Sequence, residues 1–183
     1  MHKGFTVTEG EIKLQGFCQR NAIVFKRILE DKEQTPDYEL TINDVKIIVE
    51  VKDIEMNEEE KEARRKMKVG QPQVWGSSKV GSRVRDAISK ANRQLKNLTC
   101  GKIPGILVLF DTRPSPFDAL YPYEIKVAMY GFETLDLSVL KDFSPPAVVG
   151  RRFGKGKKFT PSHNTSTSAL AVLQHDKRTQ DDP

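Results

Sequence analysis

Cysteine and histidine are almost missing from this chain: Cys18 and Cys100 are the only thiols in 183 residues, and the three histidines are scattered. A disulfide framework and a cysteine-histidine zinc site are therefore excluded as sources of stability. Long apolar runs are missing too. Nowhere do 18 apolar residues follow one another, and Met1-His2-Lys3-Gly4 does not lead into the apolar segment of a secretory signal. The expectation is a cytoplasmic protein that does not enter a membrane. No internal repeat is visible, so the chain is expected to build one domain, residues 1–173, around a single core. The polar residues 174–183 read as a flexible tail.

What is present is charge. The net charge of +5 and pI near 9.1 suit a polyanionic partner. The distribution is uneven. Lys79, Arg83, Arg85, Lys90, Arg93, Lys96 and Lys102 share a stretch whose single acid is Asp86, whereas acids gather between Glu55 and Glu62.

The most informative stretch runs from Thr35-Pro36-Asp37 to Asp53. Ile47-Ile48-Val49-Glu50-Val51 is β-branched apart from one glutamate, the pattern of a strand buried on both faces. Side chains alternate along a strand, so Glu50 and Lys52 point the same way, roughly 7 Å apart at about 3.3 Å per residue. Asn43-Asp44 predicts a tight hairpin that brings a preceding strand, near 38–43, back alongside one near 46–53. Asp37 then lies beside Glu50.

Pro36-Asp37 followed by Glu50-Val51-Lys52 resembles the signature of the PD-(D/E)xK, or restriction-endonuclease-like, nucleases. Acid-x-Lys alone is not selective, since it begins here at Glu11, Glu30, Asp44, Glu50, Glu59 and Glu124. Only the copy at Glu50 follows an apolar run and has a Pro-Asp thirteen residues upstream. The nearest rival, Asp111 with Glu124 and Lys126, has the same interval, but Asp111 leads into Arg113-Pro114-Ser115-Pro116, a loop rather than a hairpin. The resemblance covers roughly residues 12–111. It implies an α/β fold with a restriction-endonuclease-like core, a central mixed sheet flanked by helices in the order αβββαβ.

In chain order, Leu14, Phe17, Cys18, Ala22, Phe25, Ile28 and Leu29 predict an amphipathic helix over 12–31. The family often carries an acid on this helix; the matching positions read Gln19-Arg20-Asn21, where Gln19 is either a water-orienting amide or a solvated side chain. Residues 57–68 run from acid to base behind Asn57, an exposed helix with a capped start. The glycine-rich segment 69–82 is a loop holding the only tryptophan, Trp75, either a stacking platform for bases or a core anchor. A clear helix spans about 80–98, with Arg83, Lys90 and Gln94 along one edge. Ile106–Phe110 reads as a buried strand, 123–130 as an alternating strand, 135–140 as a short helix and 147–149 as an edge strand. Arg151–Lys158 reads as a basic turn and 168–173 as a last strand.

The resemblance implies a Mg²⁺-dependent nuclease, with Mn²⁺ as substitute, acting on nucleic acid, DNA before RNA. Asp37, Glu50 and the Val51 carbonyl would hold the ion, and Lys52 would act on water or phosphate, with Gln94 beside them. Arg83, Lys90, Arg93 and Trp75 would contact nucleic acid. A homodimer would suit two-strand cleavage. The alternatives are a nuclease-fold module that binds nucleic acid or a protein without cutting, and a buried ion pair in an unrelated α/β protein.

Overall fold

The computed structural model of the chain describes residues 6–29, 35–74, 80–118, 120–139 and 145–174. Helix α1 (Glu9–Arg20) starts at a capping box: the Thr8 hydroxyl accepts from the Glu11 N–H and the Glu11 carboxylate accepts from the Thr8 N–H. The predicted helix over 12–31 is cut short. Ala22 adopts a left-handed backbone (φ 52°), and the chain turns into strand β1 (Val24–Arg27), where Phe25 packs as a strand residue. A β-branched and aromatic pair suits a sheet edge as well as it suits a helical stripe, and pairing with the next strand decides the matter.

Strands β2 (Tyr38–Ile42) and β3 (Val45–Ile54) form the predicted hairpin, with Asn43 and Asp44 both at positive φ as a two-residue turn requires. Helix α2 (Glu58–Lys68) follows, capped by Asn57, and then the long helix α3 (Ser82–Thr99). Strand β4 (Gly105–Asp111) runs parallel to β3. Of the 69–82 loop, residues 75–79, including Trp75, lie outside the described residues, as do residues 175–183 of the tail.

Three expectations for the last third are corrected. Residues 123–130 form a helix, α4 (Pro122–Tyr130), rather than a strand. Pro122 opens it, and Ile125, Ala128 and Met129, three and four apart, face the core. The same residues also alternate, which is why a period of two is legible in the sequence. The helix expected at 135–140 is instead strand β5 (Glu133–Ser138), and Leu140 lies outside the described residues. The strand expected at 147–149 runs on as β6 (Ala147–Phe153), so Arg151 and Arg152 belong to a strand and not to a turn. Strand β7 (Ala169–Leu173) matches the last predicted one.

The main sheet has the order β1-β2-β3-β4-β7, antiparallel from β1 to β3 and parallel from β3 to β7. It is a mixed sheet with helices on both faces. On one face Leu14 and Cys18 of α1 pack against Tyr38, Leu40, Val49, Val51 and Val108. On the other, Val84, Ala87, Ile88, Ala91 and Leu95 of α3 cover Ile48, Ile54, Leu107 and Leu109. Residues 48 to 51 are therefore all buried, as the apolar run predicts. β5 and β6 form a separate two-stranded ribbon. Among the described residues no helix is long and apolar enough to cross a membrane.

α1 meets the sheet closely at one point. The Gly10 N–H donates to Asp53 Oδ2 (3.3 Å), and a Cβ on Gly10 would stand 2.2 Å from Asp53 Oδ1. Only glycine lets this turn sit on β3.

Candidate active site

β2 begins at Tyr38, opposite Val49, so β3 beyond Val49 has no strand on that side. The other side of β3 stays paired with β4 as far as Ile54 and Asp111. Asp37 occupies the vacated position. Its Oδ2 accepts the Val51 N–H at 2.7 Å, a bond that a neighbouring strand would otherwise take. Backbone N–H and C=O of one strand residue point the same way, so the Val51 carbonyl faces the same open edge as the Asp37 carboxylate.

Glu50 projects from the α3 face and is 0% exposed. Lys52, on the same face, is in ion-pair contact with Glu50 Oε1, and neither Glu50 oxygen receives a well-directed hydrogen bond among the described residues. Burial, then the nearby Asp37 charge, push the Glu50 carboxyl up to about 8, against the smaller pull of Lys52. Asp37 is raised as well. Its burial outweighs the Val51 bond and Lys52. Asp37, Glu50, the Val51 carbonyl and Lys52 are thus brought together as the sequence predicts.

Gln94 of α3 approaches from above, its amide 3.4 Å from the Thr35 carbonyl, two residues before Asp37. It bears on the Asp37 segment through this backbone bond. The Thr35 hydroxyl is buried and has no hydrogen-bond partner among the described residues. Gln19 is exposed at the far end of α1. The acid of α1 that lies near the site is Glu11, 3% exposed, with Oε1 3.3 Å from the Arg27 guanidinium; its charge contributes to raising the Asp37 pKa. Sequence reasoning counted Glu11 only as one more acid-x-Lys. Thr8-x-x-Glu11, a capping-box pattern, is the signal that marks it as an inward-facing first-turn acid. Tyr38, fully buried with its hydroxyl accepting from Gln15 Nε2 at 2.7 Å, completes this polar cluster behind the site.

The remaining predicted residues divide. Arg83 is committed inside the protein: it pairs with Glu60 at 2.6 Å and donates to the Glu55 carbonyl at 2.9 Å. Lys90 and Arg93 are exposed on α3. The rival set does not assemble as strand neighbours. Both Asp111 oxygens hold Arg113 (2.8 and 2.7 Å), Glu124 lies on helix α4, and Lys126 turns to Glu133 at 3.5 Å.

Asp37, Glu50 and the Val51 carbonyl offer hard oxygen donors only. No group of three or more His, Cys, Asp or Glu side chains that could hold a metal ion is found among the described residues. A cation at this site would therefore rest on two carboxylates, a carbonyl and water, a set that suits Mg²⁺ or Mn²⁺. No family model, no curated protein and no solved structure matches the chain.

Proposed function

We propose that this chain is a metal-dependent nuclease of the PD-(D/E)xK kind, with a restriction-endonuclease-like core, in which Asp37 and Glu50 hold Mg²⁺ or Mn²⁺ and Lys52 serves the reacting phosphate. The observation that carries this reading is the meeting of Asp37 with a wholly buried Glu50 whose oxygens lack well-directed hydrogen bonds. Two carboxylates crowded together repel each other and lose their hydration, and Lys52 alone does not offset that. A divalent cation removes both costs.

When bound, such an ion neutralises charge developing on phosphoryl oxygens. Asp37 and Glu50 orient it, with the Val51 carbonyl as the third protein donor. Lys52, 28% exposed at its side chain, is free to turn from Glu50 toward a phosphate oxygen or a water proton. Gln94 steadies the strand entry that carries Asp37. An antiparallel β1-β2-β3 meander continued in parallel by β4 after a helical crossover supports the αβββαβ core. One observation favours a second reading, a nuclease-fold module that binds without cutting: Lys52 is already engaged by Glu50.

Labelled DNA and RNA, incubated with the protein and Mg²⁺, Mn²⁺ or chelator, separate the two readings. Metal-dependent cleavage is expected, abolished in Asp37→Ala and Glu50→Ala and unaffected in Glu124→Gln. Lys52→Ala is expected to keep Mn²⁺ and nucleic-acid binding while the chemical step slows by about 10²-fold. A folded wild-type protein that binds no Mn²⁺ in calorimetry, even with nucleic acid present, would overturn the nuclease reading.

A further inference from the structure

The β5-β6 ribbon has a face that nothing in the protein covers. Strand register places Leu135 opposite Arg151 and Leu137 opposite Val148 on that face, with Glu133 and Phe153 at its base. Leu135, Leu137 and Val148 are 46%, 53% and 55% exposed, and the Arg151 side chain 71%. An isolated two-stranded ribbon does not gain its stability from such exposure, so the face marks a contact surface.

Charge identifies the occupant. From Lys126 to Lys158 the described residues hold six cations, Lys126, Arg151, Arg152, Lys155, Lys157 and Lys158, against two acids, Glu133 and Asp136. Lys155 and Lys157 are exposed, with no ion-pair partner among the described residues. The pairs of Arg151 with Glu133 (3.4 Å) and Arg152 with Asp136 (3.1 Å) are solvent-exposed, and exposed pairs yield readily to a stronger anion. A polyanion fits this surface better than an apolar protein face does.

We infer that the β5-β6 ribbon lies in the major groove of duplex DNA, with Arg151, Leu135, Leu137 and Val148 toward the base edges and Lys155 and Lys157 on the phosphates. Two strands about 4.8 Å apart, with their side chains, fit a groove about 12 Å wide, which admits a two-stranded ribbon. Arginine pairs with guanine O6 and N7, and aliphatic groups meet thymine methyls. The major groove of duplex RNA is too deep and narrow for such entry. This inference deepens the nuclease reading by naming duplex DNA as the substrate class and the ribbon as the element that grips it.

The test uses the full chain, a labelled 20-base-pair DNA duplex and the matching RNA duplex, with chelator present to prevent cutting. Wild type is expected to bind DNA more tightly than RNA. Arg151→Glu/Lys155→Glu/Lys157→Glu should weaken DNA binding about 10- to 100-fold and lower the slope of log K against log salt by about 2.7, at about 0.9 per lost phosphate contact. The milder Lys155→Gln/Lys157→Gln protein, expected to lose about 1.8 of the slope, guards against a folding defect in the triple variant. Unchanged affinity and slope in folded variants overturn the inference, as does a wild type that prefers the RNA duplex or binds neither. Self-association that Leu137→Ser/Val148→Ser abolishes without touching DNA affinity also overturns it, in favour of a second copy on this face. Cleavage is scored separately with Mg²⁺: ribbon-dependent binding without cleavage sinks the nuclease reading and leaves the ribbon standing.

Discussion

A carboxyl group held at about 8 changes how the whole protein responds to pH. The folded value of Glu50 lies above the ordinary 4.5 of the unfolded chain, so between these two values the folded state binds more protons than the unfolded one. Stability contributed by Glu50 is fully present below pH 4.5 and is lost progressively as pH rises to about 8. Asp37, Asp53 and Glu124 are raised too and act in the same direction, so the difference between wild type and Glu50→Gln isolates one group. In urea titrations with chelator, Glu50→Gln should show a flatter pH profile and exceed wild type at pH 9 by on the order of a few kcal/mol. Parallel profiles for the two proteins would mean that Lys52 keeps Glu50 ionised. At this scale the sequence was legible where a residue type is out of place: Glu50 inside an apolar run is visible as an anomaly. Glu11 was not, because a first-turn glutamate is ordinary composition and its inward direction depends on where α1 docks.

Among the elements, α1 and α4 show what local pattern can and cannot settle. The Asn43-Asp44 hairpin, the α3 stripe and the β4 run each carry a signal with one structural solution, and each forms as predicted. Ile125, Val127, Ala128 and Met129 satisfy both periods, and only packing of Ala128 against the Gly81 turn at the start of α3 selects the helix. β5 was misread because its leucines face solvent, and an exposed apolar face gives no core pattern to anchor the period. The docking of α1 yields a prediction of its own. Gly10→Ala would drive a methyl group into Asp53 Oδ1, with Val51 Cγ1 and Phe110 Cβ at 3.0 and 3.1 Å leaving no way round. The helix gains propensity from alanine, yet the overlap should dominate and destabilise the fold by about 1–3 kcal/mol, read as a lower urea midpoint at unchanged m-value. A stabilised Gly10→Ala protein would show that α1 does not sit on Asp53 as described.

At the scale of the molecule, the sheet combines strands of very different separation along the chain. β1, β2 and β3 are joined by short connections, whereas β7 pairs with β4 across almost sixty residues. During synthesis, Asp37, Glu50 and Lys52 therefore leave the ribosome early and can reach their strand positions while one place in the sheet is still vacant. Until residue 173 emerges, β4 is an edge strand built of Ile106, Leu107, Val108, Leu109 and Phe110, an apolar row with unpaired N–H and C=O groups. Nascent chains at that stage are a template for pairing with one another. A chain ending before Ala169 should accordingly aggregate during refolding at micromolar concentration, measured by light scattering, while the full chain does not. The last strand to be made acts as a built-in chaperone for the strand beside the site.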